Sequence, residues 1–434
     1  MSLLDHPKAQ ALLEDATVSP GTVRVCSEHL TEYLQRYLPL FYRGEQRVLA
    51  EVVIKGKLSG LERKTSEPIA REAGRQRKPV QNFVGAGAWD DDAVLAGLRR
   101  HVAEELGDPQ GVFVLDNSGF AKKGTESCGV ARQWCGRLGK VDNCQVGVFL
   151  YYATAAGRGP LDCRLYLPQE WAADAPRRQK THVPADVTFQ EKWRIGLELI
   201  ARSSAQVPHG WVTADDEFGR VTEFRSALRL AQEQYVLDIP CNTLVREIGA
   251  AASGRRPAFE RADRWAARQP QSAWKVLTLR LGEQGPLKVR ALKRRVQTKD
   301  EAGRVGPSET LLVVQTLEKE SKTYYALSNA PRDEKLAVLA GVKASRHEAE
   351  VGFQEGKGEV GLAHYEVRSW RGWHHHMVLS FLALWFLTVE KRRLGKKNTG
   401  RHRSAGPPDF HAAAARAGPE PGQNRSSGQR RPAA

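Results

Sequence analysis

The sequence predicts a mixed α/β protein, and three observations carry that prediction. Apolar residues recur at helical spacing through residues 1–105, for example at Leu30, Leu34 and Leu38. From residue 110 onward, short apolar runs such as 112–115 replace the helical period, as in strands buried on both faces of a sheet. Residues 250–332 form a series of alternating apolar segments, which is typical of further strands. We expect helices first, then a mixed sheet with helices, and a strand-rich insertion.

Length and charge restrict the classes of function. The chain has 434 residues, 41% of them hydrophobic, which predicts two or three domains at about 150 residues each. The net charge of +16 indicates a polyanionic partner, most simply nucleic acid. The longest apolar run, at residues 377–387, is too short to cross a bilayer. We expect no membrane partner and a cytoplasmic, nucleoid-associated protein.

Residues 393–434 are predicted to be a disordered basic tail. Apart from alanines, Phe410 is the only hydrophobic residue from 395 onward. Residues 391–434 carry eleven Lys or Arg against two Asp or Glu, so the rest of the chain keeps a net charge of +7. The Arg, Gly, Ala and Pro bias of the tail resembles GC-rich DNA read out of frame. We therefore hypothesise that a reading-frame change near Leu394 replaced the original C-terminus.

Residues 65–83 have the pattern of two short helices joined by a basic turn. Thr65 and Ser66 precede a proline that is tolerated in the first helical turn, and Gly74 ends the helix. A helix-turn-helix would direct its second helix towards the base edges of DNA. An ordinary helical hairpin is the alternative. The candidate DNA-binding residues are Arg75, Arg77, Lys78, Gln81 and Asn82.

Acidic residues follow two of the predicted strands. The run 112–115 is expected to end at Asp116, and the strand 211–214 is followed by Asp215 and Asp216. Side chains at strand ends are held rigidly, as a catalytic site requires. Aspartates that only form turns are the structural alternative.

The segment 345–357 places polar side chains along one face of a helix. Ser345 and Glu348 match the capping-box pattern, which predicts a helix start. The polar face is formed by Arg346, Glu350, Gln354 and Lys357. A carboxylate between two cations suits metal-assisted phosphate chemistry if other carboxylates lie nearby. Without them, the stripe is a solvated helix with i,i+4 charge pairs.

Together these segments resemble the Asp-Asp-Glu transposases of bacterial insertion sequences, in the branch with the signature Tyr-x2-Arg-x3-Glu-x6-Lys. Arg346, Glu350 and Lys357 match three of its residues, and Lys343 stands at the tyrosine position. Residues 116–118 and 213–215 resemble the two aspartate segments of the family, which favours Asp215 over Asp216. Similar segments extend the likeness over residues 40–390.

The resemblance implies an RNase H-like catalytic core formed by residues 106–249 and 333–392. It would follow the helical region 1–105, and the β-rich insertion 250–332 would interrupt it. Asp116, Asp215 and Glu350 are implied as catalytic residues that hold two Mg²⁺ (or Mn²⁺) ions. The implied DNA-phosphate contacts are Arg346, Lys357, Lys122 and Lys123.

The predicted function is that of a transposase, which cuts DNA at the ends of an insertion sequence and transfers the strands to target DNA. Its partners would be double-stranded DNA and a second copy of the chain in a homodimer. Two alternatives stay open: an RNase H-like DNA endonuclease without strand transfer, and a catalytically inactive DNA-binding protein derived from a transposase. A glycosidase also uses paired carboxylates, but the basic chain and the cations beside Glu350 disfavour it.

Overall fold

The described part of the N-terminal region, residues 20–106, is mainly helical, as the sequence predicted, and residues 1–19 lie outside the described residues. The computed structural model describes residues 20–397, apart from residues 137, 250–256, 283–284, 301 and 318–319. The helices of this region are α1 (Pro20–Tyr37), α2 (Gly44–Leu58), α3 (Ser66–Glu72), α4 (Arg77–Gly85) and α5 (Asp91–Leu106). Their apolar faces join one core, in which Tyr37, Phe41 and Val94 are fully buried.

A mixed sheet forms the centre of the fold. Its first strands are β1 (Val112–Ala121), β2 (Ala131–Cys135), β3 (Lys140–Thr154), β4 (Gly157–Leu165), β5 (Trp211–Ala214) and β6 (Tyr235–Ile239). β3 pairs antiparallel with β1, β2 and β4, whereas β1, β5 and β6 run parallel to one another. The order β4-β3-β1-β5-β6, antiparallel on one side and parallel on the other, is the RNase H-like arrangement that the sequence predicted.

β1 is longer than predicted, and this changes the position of Asp116. We expected the strand to end at Asp116, and this was wrong, because β1 stays paired with the long strand β3 as far as Ala121. Its parallel neighbour β5 ends at Ala214, opposite Leu115. Asp116 therefore lies within β1, at the level where the parallel neighbour ends.

The strand-rich segment extends the same sheet. Its strands are β7 (Leu244–Glu247), β8 (Glu260–Arg261), β9 (Lys275–Gly282), β10 (Gly285–Lys299), β11 (Val305–Thr316) and β12 (Thr323–Ser328). β12 pairs antiparallel with β6, and the order continues β12-β11-β10-β7-β8. A second apolar core around Trp265 and Leu292 lies in this part of the sheet. The domain boundaries at 249, 332 and 392 stay predictions.

Helices cover the sheet. They are α6 (Gln169–Ala173), α7 (Ala175–Lys180), α8 (Lys192–Ser204), α9 (Asp216–Gly219), α10 (Thr222–Leu230), α11 (Ala262–Ala267), α12 (Leu336–Ala344), α13 (Arg346–Glu359) and α14 (Trp370–Lys397). Residues 377–383 of α14 are fully buried, because this apolar run packs against β4 and α2. Residues 393–397 of the predicted tail belong to α14, and residues 398–434 lie outside the described residues.

Packing fixes the position of α13. Gly352 allows the helix to approach β3 closely, because a Cβ atom there would lie 2.5 Å from a ring carbon of Tyr151. On the same helix, Arg158 of β4 forms ion pairs of 2.8 Å with the buried Glu348 and with Glu355. These contacts set the rotation of α13 about its axis and thereby the direction of its polar stripe.

The predicted capping box is absent at the start of α13. Ser345 has helical backbone angles (φ −64°, ψ −17°), because α12 runs almost directly into α13. Its hydroxyl donates a hydrogen bond to the carbonyl oxygen of Gly341 at 3.2 Å. The helix begins where the sequence predicted, but the proposed capping mechanism was wrong.

The close approach at Gly352 gives a stability prediction. We expect Gly352→Ala to lower the free energy of unfolding by about 1–3 kcal/mol, because the added methyl group overpacks the contact with Tyr151. The control is Gly358→Ala on the same helix, where a Cβ atom meets open space. It should stabilise the protein by up to about 1 kcal/mol. Urea unfolding measures both, and equal effects of the two substitutions would contradict this packing.

Candidate active site

The register of the parallel strands brings two predicted acids together. Leu115 is aligned with Ala214, so Asp116 and Asp215 follow at the same level on neighbouring strands. Asp215 also caps the short helix α9, since its Oδ1 accepts hydrogen bonds from the backbone N–H groups of Glu217 (3.1 Å) and Phe218 (3.4 Å). Asp215 thus caps a helix, in line with the structural alternative, and also lies at the level of Asp116.

Burial raises the pKa of both aspartates. Asp116 is 8% exposed and accepts a hydrogen bond of 2.7 Å from the backbone N–H of Asn117. Its pKa is raised to about 6 by burial, against the lowering effect of the Arg346 charge. The pKa of Asp215 is raised to about 7 by burial and by the charge of Asp116. The pair therefore forms a partly desolvated negative site, which a cation would stabilise.

Glu350 of α13 acts on this pair through its charge. The guanidinium of Arg346 donates to its carboxylate at 2.7 Å, and His347 Nδ1 lies 3.2 Å from the other oxygen. The hydrogen bond with His347 and the charge of Arg346 lower the pKa of Glu350. Its charge in turn raises the pKa of Asp116. The third predicted acid is thus electrostatically coupled to the site, while its own oxygens are engaged by neighbours on the helix.

A fourth carboxylate, Asp238, was not recognised from the sequence. β5 and β6 align Ala214 with Leu237, so Asp238 follows at the level of Asp215. Lys343 Nζ lies 3.0 Å from its Oδ1, and Arg346 Nε lies 3.4 Å from its Oδ2. The signal was present, because an aspartate follows the apolar run 235–237 just as Asp116 and Asp215 follow theirs. Lys343, at the tyrosine position of the family signature, serves in this chain as the partner of Asp238.

Glu217 is the second residue that sequence reasoning missed. One of its oxygens accepts a hydrogen bond from Asn117 Nδ2 (3.0 Å), and the other pairs with Lys192 (2.6 Å). The charge of Glu217 raises the pKa of Asp116 and of Asp215. Only the run of three acids at 215–217 could have indicated it, and that run does not show which of them faces β1.

Of the four predicted phosphate contacts, Arg346 and Lys357 lie on α13, and Lys122 and Lys123 directly follow β1. Lys357 joins α13 to β1, since its amine donates to Ser118 Oγ at 2.9 Å. Arg346 lies between Asp238 and Glu350. Lys122 folds over the ring of Tyr365 and donates to the carbonyl oxygen of that residue at 3.2 Å, which leaves Lys123 as the exposed member of its pair.

The five candidate DNA-binding residues lie on a separate helical pair. α3 and α4 follow each other as the sequence predicted and pack against α2 and α14. All five are exposed: Arg75, Arg77, Lys78, Gln81 and Asn82. Their exposure fits a binding surface, and the assignment stays a prediction.

The donor set at the parallel strands fits a hard divalent cation in part. Carboxylate oxygens are the ligands that Mg²⁺ prefers, and Asp116 and Asp215 present them side by side. Across the described ranges, however, no three His, Cys, Asp or Glu side chains lie close enough together to form one metal site. This agrees with the engagement of Glu350 by Arg346 and His347. Two candidate ligands thus lie on neighbouring strands, and Glu350 would have to exchange its partners to become a third.

The raised pKa of Asp116 gives a pH prediction. Between pH 3.8 and about 6, folded Asp116 keeps a proton that the unfolded chain has lost, so stability falls as pH rises through this window. Asp116→Asn should therefore stabilise the protein by roughly 1–3 kcal/mol above pH 6 and much less near pH 4. Urea unfolding at both pH values tests this. A pH-independent gain would contradict the assigned cause.

Comparisons with known proteins identify the family. A family model described as "DDE superfamily endonuclease" matches residues 36–299. The probable transposase for insertion sequence element IS701 of Microchaete diplosiphon is 28% identical over 154 residues, or 35% of this chain and 40% of that protein. The chain thus matches less than half of the length of this relative.

One solved structure aligns with much of this chain. The cryo-EM structure of the piggyBac transposase synaptic complex with hairpin DNA covers 83% of this chain and 68% of that chain, with 8% identity and a TM-score of 0.38. Among the described helices, none combines the length and apolar character needed to span a membrane. Because the family model matches more than half of the chain, this protein belongs to the DDE superfamily endonucleases, and the predicted likeness to insertion-sequence transposases is confirmed.

Proposed function

We propose that the protein is a transposase that cuts phosphodiesters at the ends of an insertion sequence and joins the cut ends to target DNA. The observation that supports this most directly is the alignment of Asp116 with Asp215 beside the Arg346–Glu350 pair. Paired acids with a cation at their edge suit the cleavage of a phosphodiester, whose charge must be neutralised while water or a 3′-hydroxyl attacks.

Asp116, Asp215 and Glu350 would hold two Mg²⁺ or Mn²⁺ ions, which supply Lewis-acid stabilisation of the reacting phosphate. The residues themselves orient the substrate. Burial of Asp116 limits water access and strengthens each electrostatic interaction. Arg346 can present a planar fork to a phosphate oxygen, and Asp238 fixes the Nε edge of that fork.

Arg346 also links substrate binding to the third acid. In the structure its NH2 group holds Glu350, and a DNA phosphate would compete for this donor. Capture of Arg346 by the phosphate would free one oxygen of Glu350 to turn towards Asp116. DNA binding would thereby complete the carboxylate set that is incomplete in the protein alone.

Recognition of the DNA is proposed to involve α3 and α4. The exposed face of α4 carries cations followed by two amides, a combination that can contact phosphates and base edges. Since an insertion sequence has two ends, we propose that a homodimer brings them together.

The three acids are tested first by cleavage. We expect Asp116→Asn, Asp215→Asn and Glu350→Gln each to lower Mg²⁺-dependent cleavage of an end-containing duplex by roughly a hundredfold or more. DNA affinity should stay within about twofold. The matched control is Asp216→Asn, because Asp216 pairs with Arg220 at the surface beside Asp215. Cleavage that persisted in all three variants would refute the assignment.

The fate of the cut end separates the proposed function from a simple nuclease. A labelled, precut end should become joined to a second duplex in the presence of Mg²⁺. Cleavage without joining would favour the endonuclease that lacks strand transfer. Binding without either reaction would favour the inactive DNA-binding protein.

The surface of α4 is tested by the salt dependence of binding. We expect Lys78→Gln to weaken DNA binding and to reduce the slope of log affinity against log salt by about 0.9, the value for one lost phosphate contact. The control is Lys55→Gln, since Lys55 is a partly exposed lysine of α2 that pairs with Glu51. Fluorescence anisotropy at several salt concentrations measures both. Equal slopes for Lys78→Gln and the wild type would mean that Lys78 contacts no DNA phosphate, which would contradict the proposed role of α4.

A further inference from the structure

A cavity of about 160 Å³ lies between the N-terminal helices and the segment that joins α13 to α14. Its wall contains Lys57 of α2, Ser66 of α3, Gln81 of α4 and His376 of α14. The volume far exceeds the roughly 10–15 Å³ that one water requires. None of its lining residues belongs to the candidate active site.

Within the part of the chain that the structure describes, Lys57 is a buried amine with no acidic partner. It is 1% exposed, and its amine donates to Ser380 Oγ at 2.8 Å and approaches His376 Nδ1 at 3.5 Å. His376 Nε2 lies 3.1 Å from the carbonyl oxygen of Leu362, so it donates there and leaves Nδ1 free to accept from Lys57. Both acceptors of the amine are therefore neutral.

A second amine adds to the positive charge. Lys64 is 7% exposed and donates to the backbone carbonyl oxygens of Lys57 (2.8 Å), Ser59 (2.5 Å) and Glu359 (2.6 Å). These acceptors fix its position and carry no negative charge. The carboxylate in the lining, Glu366, is exposed and pairs with Arg63 at 2.7 Å. The wall thus holds two lysines: the amine of Lys57 contacts neutral groups, and the amine of Lys64 binds backbone carbonyls within reach of the Glu359 charge.

We infer that this cavity binds a phosphate group. Buried charges in proteins are normally paired, so an uncompensated lysine beside a polar cavity indicates an anionic ligand. Thr65 and Ser66 add hydroxyl groups that suit phosphate oxygens. Burial and the charge of Lys64 lower the pKa of Lys57 to about 7, and an anion in the cavity would restore its charge.

The phosphate has two chemical sources. It is either a free phosphate ion or a phosphodiester of bound DNA. Gln81 relates the cavity to the DNA source, because this exposed residue of α4 lines the cavity and is also one of the candidate DNA-binding residues. The second source rests on the proposed function, whereas the first is independent of it.

Titration calorimetry of the full chain with inorganic phosphate at pH 7 tests the cavity. We expect saturable binding that Lys57→Met weakens by roughly tenfold or more, since a hydrogen bond to a charged group is lost. Ser66→Glu should weaken it similarly by placing a carboxylate in the wall. Ser66→Gln is the control of equal size without charge and should bind at least several times more tightly than Ser66→Glu. Circular dichroism shows whether each variant folds. If Lys57→Met fails to fold, the comparison of Ser66→Glu with Ser66→Gln still decides the test.

Competition identifies the source. If phosphate displaces duplex DNA from the wild type more effectively than from Ser66→Glu, the cavity takes a DNA phosphodiester. If phosphate binds without such displacement, the ligand is the free ion, and both results support an anion site. Absence of phosphate binding to the wild type, or equal binding by Ser66→Glu and Ser66→Gln, would overturn the inference. Neither outcome depends on cleavage, so failure here is distinct from failure of the proposed function.

Discussion

The register of three parallel strands determines what this protein can do at its candidate active site. Leu115, Ala214 and Leu237 are aligned across β1, β5 and β6, so one aspartate follows on each strand at one level. A shift by one residue would turn these side chains to the opposite face of the sheet. The apolar runs that precede the aspartates are almost completely buried, and this burial holds the register.

The carboxylates at this level differ in how far nearby cations compensate their negative charge. Lys343 and Arg346 lie within 3.4 Å of Asp238, whereas Asp116 and Asp215 face each other with less compensation and have raised pKa values. Repulsion between them costs stability in the free protein, as is common where a site is built to receive a cation. The same arrangement pairs Arg346 with Glu350 on its own helix and with Asp238 on β6, so this arginine is one of the links between α13 and the strands.

Much of this could be predicted from the sequence, and the failures have physical reasons. The strand 211–214 follows from its local apolar pattern, and the helix beginning at Arg346 follows from polar residues at helical spacing. The length of β1 does not, because its second half depends on pairing with β3. Asp238 was missed because its role requires the register of β6 and the position of Lys343, which are tertiary contacts. The direction of Glu350 is likewise set by tertiary contacts of α13, namely the pairing of Arg158 with Glu348 and the close approach of Gly352 to Tyr151.

We propose that Asp116, Asp215 and Glu350 form one metal site when DNA is bound. Its most direct test replaces Mg²⁺ with Fe²⁺ in the DNA complex and maps the backbone cuts made by hydroxyl radicals generated at the bound ion. We predict cuts near residues 116, 215 and 350 that disappear in Asp116→Asn. Cuts confined to other segments, or cuts near these residues that persist in Asp116→Asn, would contradict the claim.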